Sequence, residues 1–297
     1  MTIGRWTVPG DHRAGSSPQW RRNHQRLTFN VSIFNSDVAE VDPRTTELPQ
    51  DHGAQPWMDL IPDDQWQVYR DAIAVARDTG LPFMLGGGFA LAAYTGRWRN
   101  TKDIDFYVLP HQRQHFVDAL TRAGFSDYYD QLAYDRGWIY RGFRDGTIVD
   151  LIWAMANRRA EAAESWFKHA TELTVREEKL HVIAPEELLW CKMYVLQRDH
   201  SDWPDLLNLL YAAGPQLDWS RVLKHLGDDT PVLASLLALF GWLCPKRAAQ
   251  LPEGLRRQLH LPPPKPVSDD EESRRIRLLD SRNWFAARLP VDKVLEV

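Results

Sequence analysis

The stretch GGGFALAAYTGRWRNTKDIDFYV, Gly86 to Val108, sets three glycines ahead of Asp103 and Asp105, which are separated by one apolar residue. Side chains alternate faces along a strand, so both acids project to one side, with Cα atoms about 7 Å apart, while Ile104 and Phe106 point into a core. Such a pair can bridge one or two hard divalent cations, whose natural ligands are carboxylate oxygens. A glycine turn that opens a helix offers unpaired backbone N–H groups at the positive end of the helix dipole, with no side chain in a phosphate's way. Two metals against a triphosphate call for a further carboxylate near the attacking oxygen. Asp150 is the candidate. It is the one charge in the apolar run TIVDLIW, and a carboxylate there has to meet a metal or a cation such as Arg99 or Arg141.

Each feature also has a plainer reading: a tight turn for the glycines, a solvated strand edge for the two aspartates. Gly86 and Gly88 match the first two positions of the dinucleotide fingerprint GxGxxG, but Leu91 stands where its third glycine belongs. No GKS or GKT follows, which removes a Walker A loop. His111 and His115 have metal-ligand spacing without the glutamate of HExxH, and read as solvated helix surface. Lys192 shares a helical face with Leu188, Leu189, Val195 and Leu196, so its ammonium snorkels to water or meets an anion. Were that anion a nucleotide, Lys192 would sit beside its β or γ phosphate.

The elements that must position these residues follow from periodicity and breakers. Trp66, Tyr69, Ile73 and Ala76 recur at helical spacing between Pro62 and Thr79. Phe83 to Leu85 reads as a strand, Phe89 to Tyr94 as a helix ended by Gly96, and Ile104 to Leu109 as a strand stopped by Pro110. A helix is expected over His111 to Arg122, and a hairpin over 134–153 turning at Asp145-Gly146. Beyond Pro185 the pattern is helical: Glu186 to Gln197, Pro204 to Ala213, Trp219 to Leu226 and Val232 to Leu243. Residues 1–58 read as a loosely ordered or docking arm with one short alternation, Phe29, Val31, Ile33. A catalytic domain over 59–180, a helical part over 181–260, and a proline-rich linker with a tail helix over 261–297 complete the expected plan.

The 297 residues carry a formal net charge of −4, so no global basic field points to DNA or an anionic membrane. Arg21, Arg22, Arg26 and the Arg256-Arg257 pair are too scattered to form the stripe an RNA-binding face needs. Two cysteines, Cys191 and Cys244, form no CxxC pair, which argues against a disulfide scaffold. With no apolar leader pattern in the first thirty residues, the expectation is a soluble cytoplasmic protein. Trp138, Trp153, Trp166 and Trp190 could wall a pocket for a polycyclic or sugar-bearing molecule, or belong to the core.

The order Gly87-Gly88, Ala90, Leu91, Gly96, Arg99, Thr101, Asp103-Ile104-Asp105 resembles the nucleotidyltransferase fold superfamily, the polymerase-β-like enzymes. The likeness is to its small bacterial branches, the aminoglycoside and lincosamide nucleotidyltransferases and the abortive-infection-type nucleotidyltransferase toxins. It extends over roughly residues 80–215, because Lys192, Arg198, Asp202 and Asp205 follow the pattern of the helical segment beyond the catalytic sheet. The resemblance implies an α/β (α+β) fold with a small mixed sheet flanked by helices and a helical C-terminal part. It implies Asp103, Asp105 and Asp150 as catalytic and metal-binding residues, and Gly87, Gly88, Arg99, Thr101 and Lys192 at the nucleotide. It further implies Mg²⁺ or Mn²⁺, an NTP as substrate, and a small-molecule, protein or RNA acceptor. Phe89 departs from relatives with Ser or Thr after the glycine pair, which leaves phosphate contact to backbone N–H groups. A catalytically silent nucleotide-binding relative is the alternative.

Overall fold

The computed structural model describes residues 56–98, 101, 103–198 and 200–279. Seven strands form one mixed sheet: β1 (Phe83–Leu85), β2 (Asp103–Val108), β3 (Ser126–Asp127), β4 (Ile139–Arg144), β5 (Thr147–Ile152), β6 (Thr171–Val175) and β7 (Glu178–Val182). Their order is β3-β4-β5-β2-β1-β7-β6. Pairs β2–β5 and β1–β7 are parallel, and the rest antiparallel. Helices α1 (Asp63–Asp78), α2 (Gly87–Thr95), α3 (Arg113–Arg122) and α4 (Glu164–His169) flank it. The helical part comprises α5 (Pro185–Met193), α6 (Trp203–Ala213), α7 (Trp219–Leu226), α8 (Thr230–Leu243), α9 (Pro245–Ala248), α10 (Glu253–Gln258) and α11 (Asp269–Leu279). This is the mixed sheet and helical sequel that the resemblance implied.

Helix α1 packs its stripe Trp66, Tyr69, Ala72, Ile73 and Ala76 inward, the spacing that puts apolar residues on one face. Glycine 96, in the left-handed conformation at φ 66°, ends α2. Phe89, just inside α2, is buried in an aromatic cluster with Trp57, Tyr69 and Trp98, ring centroids 5.1 to 6.1 Å away. Each fully buried aromatic side chain there is worth roughly 2–3 kcal/mol. This packing gives Phe89 its role, because the buried ring anchors the start of α2 to the core.

Trp57 and Met58 are core residues, so the arm expected over 1–58 gives up its last two positions to the domain. The remainder of that arm, including the Phe29 to Ile33 alternation, lies outside the described residues. The segment Trp219–Leu243 is long and apolar enough on composition to cross a membrane. In this fold its Leu233, Leu236, Leu237, Phe240 and Leu243 are buried in the core instead. After the proline run, α11 returns to α8, where Arg275 donates to the Trp242 carbonyl at 2.9 Å.

Candidate active site

Strand β2 delivers Asp103 and Asp105 to one face, and β5 lies parallel beside it in a register that pairs Asp105 with Asp150. Paired residues of neighbouring strands project to the same face, so three carboxylates from two chain segments share one side of the sheet. Ile104, Phe106 and Val108 fill the other side and are buried. The strand start is pinned by side chains rather than by turn chemistry. Tyr69 donates its hydroxyl to the carbonyls of Asp103 (2.9 Å) and Thr101 (3.2 Å), and the Thr101 hydroxyl donates to the Asp103 carbonyl at 3.0 Å.

The glycine turn closes directly on these acids. The Gly86 N–H donates to the Asp105 carbonyl at 2.9 Å. A Cβ at Gly86 would overlap the Tyr107 ring, and one at Gly87 would overlap the Asp105 carboxylate. Gly87 also has φ 47°, a left-handed conformation that side chains resist. Gly88 differs, since a Cβ there would meet Thr101 at an ordinary 3.5 Å. The turn is thus built for close approach at its first two positions. Strands β1 and β2, which flank α2, pair antiparallel, whereas the dinucleotide fingerprint belongs to a parallel βαβ unit. The GxGxxG reading therefore falls.

Asp150 is buried, and its Oδ2 accepts from Arg141 Nη2 at 3.0 Å, Arg141 being its partner across the β4–β5 pair. Its Oδ1 is buried without a hydrogen-bond partner. Burial pushes the Asp150 carboxyl up to about 7, with Arg141 opposing the rise and Asp103 adding to it. Burial also raises Asp105 well above the usual carboxylate range; Asp103 and Asp150 reinforce this, and Lys192 and Arg141 oppose it. Like charges gathered out of water are a standing electrostatic cost.

That cost, the orphaned Asp150 oxygen and the all-oxygen donor set are what a hard divalent cation relieves. In kind, the residues fit one. Among the described residues no group of three His, Cys, Asp or Glu side chains is arranged to hold an ion as it stands, and Asp150 Oδ2 is spent on Arg141.

Lys192, from α5, meets an anion, but a protein one: its Nζ donates to Asp202 Oδ2 at 3.0 Å and Asp205 Oδ2 at 2.9 Å. With 11% of its side chain exposed, it ties α5 to the start of α6 while its field still reaches Asp105. Arg99 lies outside the described residues. His111 and His115 are exposed on their helix, as solvated surface should be. Trp153 and Trp166 are buried, and Trp138 and Trp190 pack half-buried against the core. Arg141 is one of the two cations that residue types alone offered Asp150, and the antiparallel register of the 139–152 hairpin sets it directly opposite.

The value for Asp150 has a measurable consequence. An Asp in the unfolded chain ionises near 4, so up to about pH 7 folding takes up a proton at this carboxyl. Its contribution is complete below the lower value and is lost as pH rises through the upper one. In EDTA buffer, the melting-temperature gain of Asp150→Asn over the parent should be small near pH 5 and larger at pH 8. An equal gain at both ends would take the titration away from Asp150.

Among curated proteins none matches. Solved structures with similarity include the antibiotic-resistance factor ANT(2'')-Ia, at 19% identity and TM-score 0.42, over 57% of this chain and 93% of that one. The lincomycin-bound lincosamide antibiotic adenylyltransferase LnuA is similar at 17% identity and TM-score 0.36, over 50% and 96%. JHP933 from Helicobacter pylori is similar at 14% identity and TM-score 0.34, over 74% and 98%. A family model described as uncharacterised nucleotidyltransferase matches residues 71–241, a span that takes in the glycine turn, all three carboxylates and the helical part as far as α8. The chain belongs to that nucleotidyltransferase family.

Proposed function

We propose that this protein transfers a nucleoside monophosphate from an NTP to an acceptor hydroxyl and releases pyrophosphate. The observation that carries the reading is the β2–β5 register, which sets Asp150 beside Asp105, against a glycine turn with no room for a side chain at Gly87. Asp103, Asp105 and Asp150 would hold divalent cations, Mg²⁺ or Mn²⁺, which supply neutralisation of the triphosphate's charge and ease ionisation of the acceptor hydroxyl. Asp150, beside Asp105 across the β2–β5 pair, would also take the hydroxyl proton. The acceptor oxygen then bonds to the α-phosphorus as the bond from that phosphorus to the β-bridging oxygen breaks, and the electron pair leaves on pyrophosphate.

The backbone of Gly87 and Gly88 cradles the triphosphate, since Phe89 turns inward and offers no hydroxyl. Arg99 adds positive charge to the same ligand. Thr101 acts on it by fixing the start of β2, and Lys192 by its field. Among acceptors, a small molecule stands first, a protein side chain second and an RNA end third, the last because the chain has net charge −4 and no basic stripe. The proposed setting is the cytoplasm, without membrane or DNA as partner.

One observation favours a second reading. Arg141 neutralises Asp150 from within the chain, as a silent relative that binds NTP without turnover would allow. Incubation with each α-labelled NTP and Mg²⁺ or Mn²⁺, followed by tracing label among the protein, total RNA and an antibiotic panel, separates the two. Transfer expects labelled product and pyrophosphate in step. Bound NTP with neither product would leave the silent relative standing.

A further inference from the structure

Arg141 takes no part in the proposed reaction, yet its guanidinium donates to a carboxylate of the site, Asp150. It sits on β4 directly opposite Asp150 and on the same face as the carboxylates. Its side chain is 31% exposed, whereas that of Asp150 is 2%. An arginine serving only to neutralise a buried carboxylate gains most from two parallel N–H···O bonds. Here one bond is made, Nη2 to Oδ2 at 3.0 Å, while Arg141 Nε and Asp150 Oδ1 both stay buried without hydrogen-bond partners. One carboxylate oxygen and one guanidinium nitrogen are left unused, so the pair lacks the second bond that a parallel pairing would give it. An Oδ2 lone pair that accepts from a guanidinium cannot at the same time ligate a cation in that direction. The positive charge of Arg141 also acts on Asp105, so it opposes a second cation through the field as well.

We infer that Arg141 is a positioning residue in direct competition with a divalent cation for Asp150: it holds the carboxylate on the acid face, and a cation that engages both carboxylate oxygens rather than the unpartnered Oδ1 alone must displace its bond to Oδ2. The inference rests on the reading of Asp103, Asp105 and Asp150 as metal ligands. Cation affinity is then set partly by the cost of displacing the guanidinium, and removing that cost tightens binding while the protein without cation loses stability.

The test is a Mn²⁺ titration followed by electron paramagnetic resonance on the full chain, with a non-hydrolysable ATP analogue, alongside melting temperatures in EDTA. Arg141→Gln should bind Mn²⁺ about tenfold tighter, the scale of a typical coupling between two sites, and melt lower than the parent in EDTA. Arg144→Gln is the control for net charge. It removes the same charge from the same strand, but Arg144 lies three residues on, projects to the other face and pairs with Asp71; its Mn²⁺ affinity should match the parent's. Arg141→Lys, which keeps a charge but has a single-point donor, should fall between parent and Arg141→Gln and covers the case in which the glutamine variant fails to fold. Unchanged or weaker Mn²⁺ binding in both Arg141 variants, with normal binding by the parent, overturns the competition and leaves the transferase reading intact. If the parent itself binds no Mn²⁺ with the analogue present, the metal-site reading fails and takes this inference with it.

Discussion

Asp105→Asn should cut nucleotidyl transfer by about a thousandfold or more, some 4 kcal/mol of transition-state stabilisation, while raising the melting temperature measured in EDTA. Both signs come from one placement. Asp105 lies in the middle of three carboxylates, beside Asp103 on its own strand and Asp150 on the next, and both neighbours push its carboxyl upward beyond what burial already does. Neutralising it removes repulsion that the fold otherwise bears, and in the proposed reaction it would also remove one of the carboxylates that hold the cations. A residue present only to stabilise the sheet would behave in the opposite way, losing melting temperature with modest loss of turnover. Parallel measurement of labelled product and of thermal unfolding in EDTA checks both. A variant that keeps most of the parent's turnover would remove Asp105 from the chemistry.

Gly87→Ala should be nearly as damaging for a different reason. The new Cβ overlaps the Asp105 carboxylate, and the φ of 47° costs an L-residue roughly 1–2 kcal/mol by itself. Either the turn or the carboxylate has to shift. Since a displacement near 1 Å at a reacting centre is worth about a hundredfold in rate, we expect a loss of that order together with a lower melting temperature. Gly88→Ala provides the contrast. Its Cβ would meet Thr101 at 3.5 Å, so its melting temperature should stay close to the parent's. Equal melting temperatures for the two variants would show that the turn relaxes more easily than its geometry suggests.

Much of this arrangement was legible in the residues. The spacing of Trp66, Tyr69, Ile73 and Ala76 marked α1, Gly96 marked the end of α2, and Asp145-Gly146 marked the hairpin that brings Asp150 and Arg141 together. The β6–β7 hairpin was not seen. Its strands, TELTV and EKLHV, mix charged residues into the alternation, and its turn places Arg176 (φ 43°) and Glu177 (φ 74°) in left-handed conformations usually given to Asn and Gly. Composition therefore carried no turn signal there. Strand β4 starts at Ile139 rather than Tyr134, because Tyr134 serves the preceding loop, accepting from the Arg141 N–H and donating to Asp127. Helix α5 stops at Met193 rather than Gln197, where the chain turns to bring Asp202 and Asp205 back onto Lys192. That ion triad was half visible: the apolar face carrying Lys192 left its ammonium to reach water or an anion, and which of these it met depended on how α5 and α6 come together.

Strand β5 is bonded along both edges, to β2 on one side and β4 on the other. A one-residue insertion or deletion inside it would turn Asp150 to the opposite side of the sheet and put Val149 or Leu151 where it stood. The exposed residues 130–133 and 156–159 lie outside this ladder. Divergence in length among kindred chains should therefore collect there, while the spacing from Thr147 to Asp150 stays frozen.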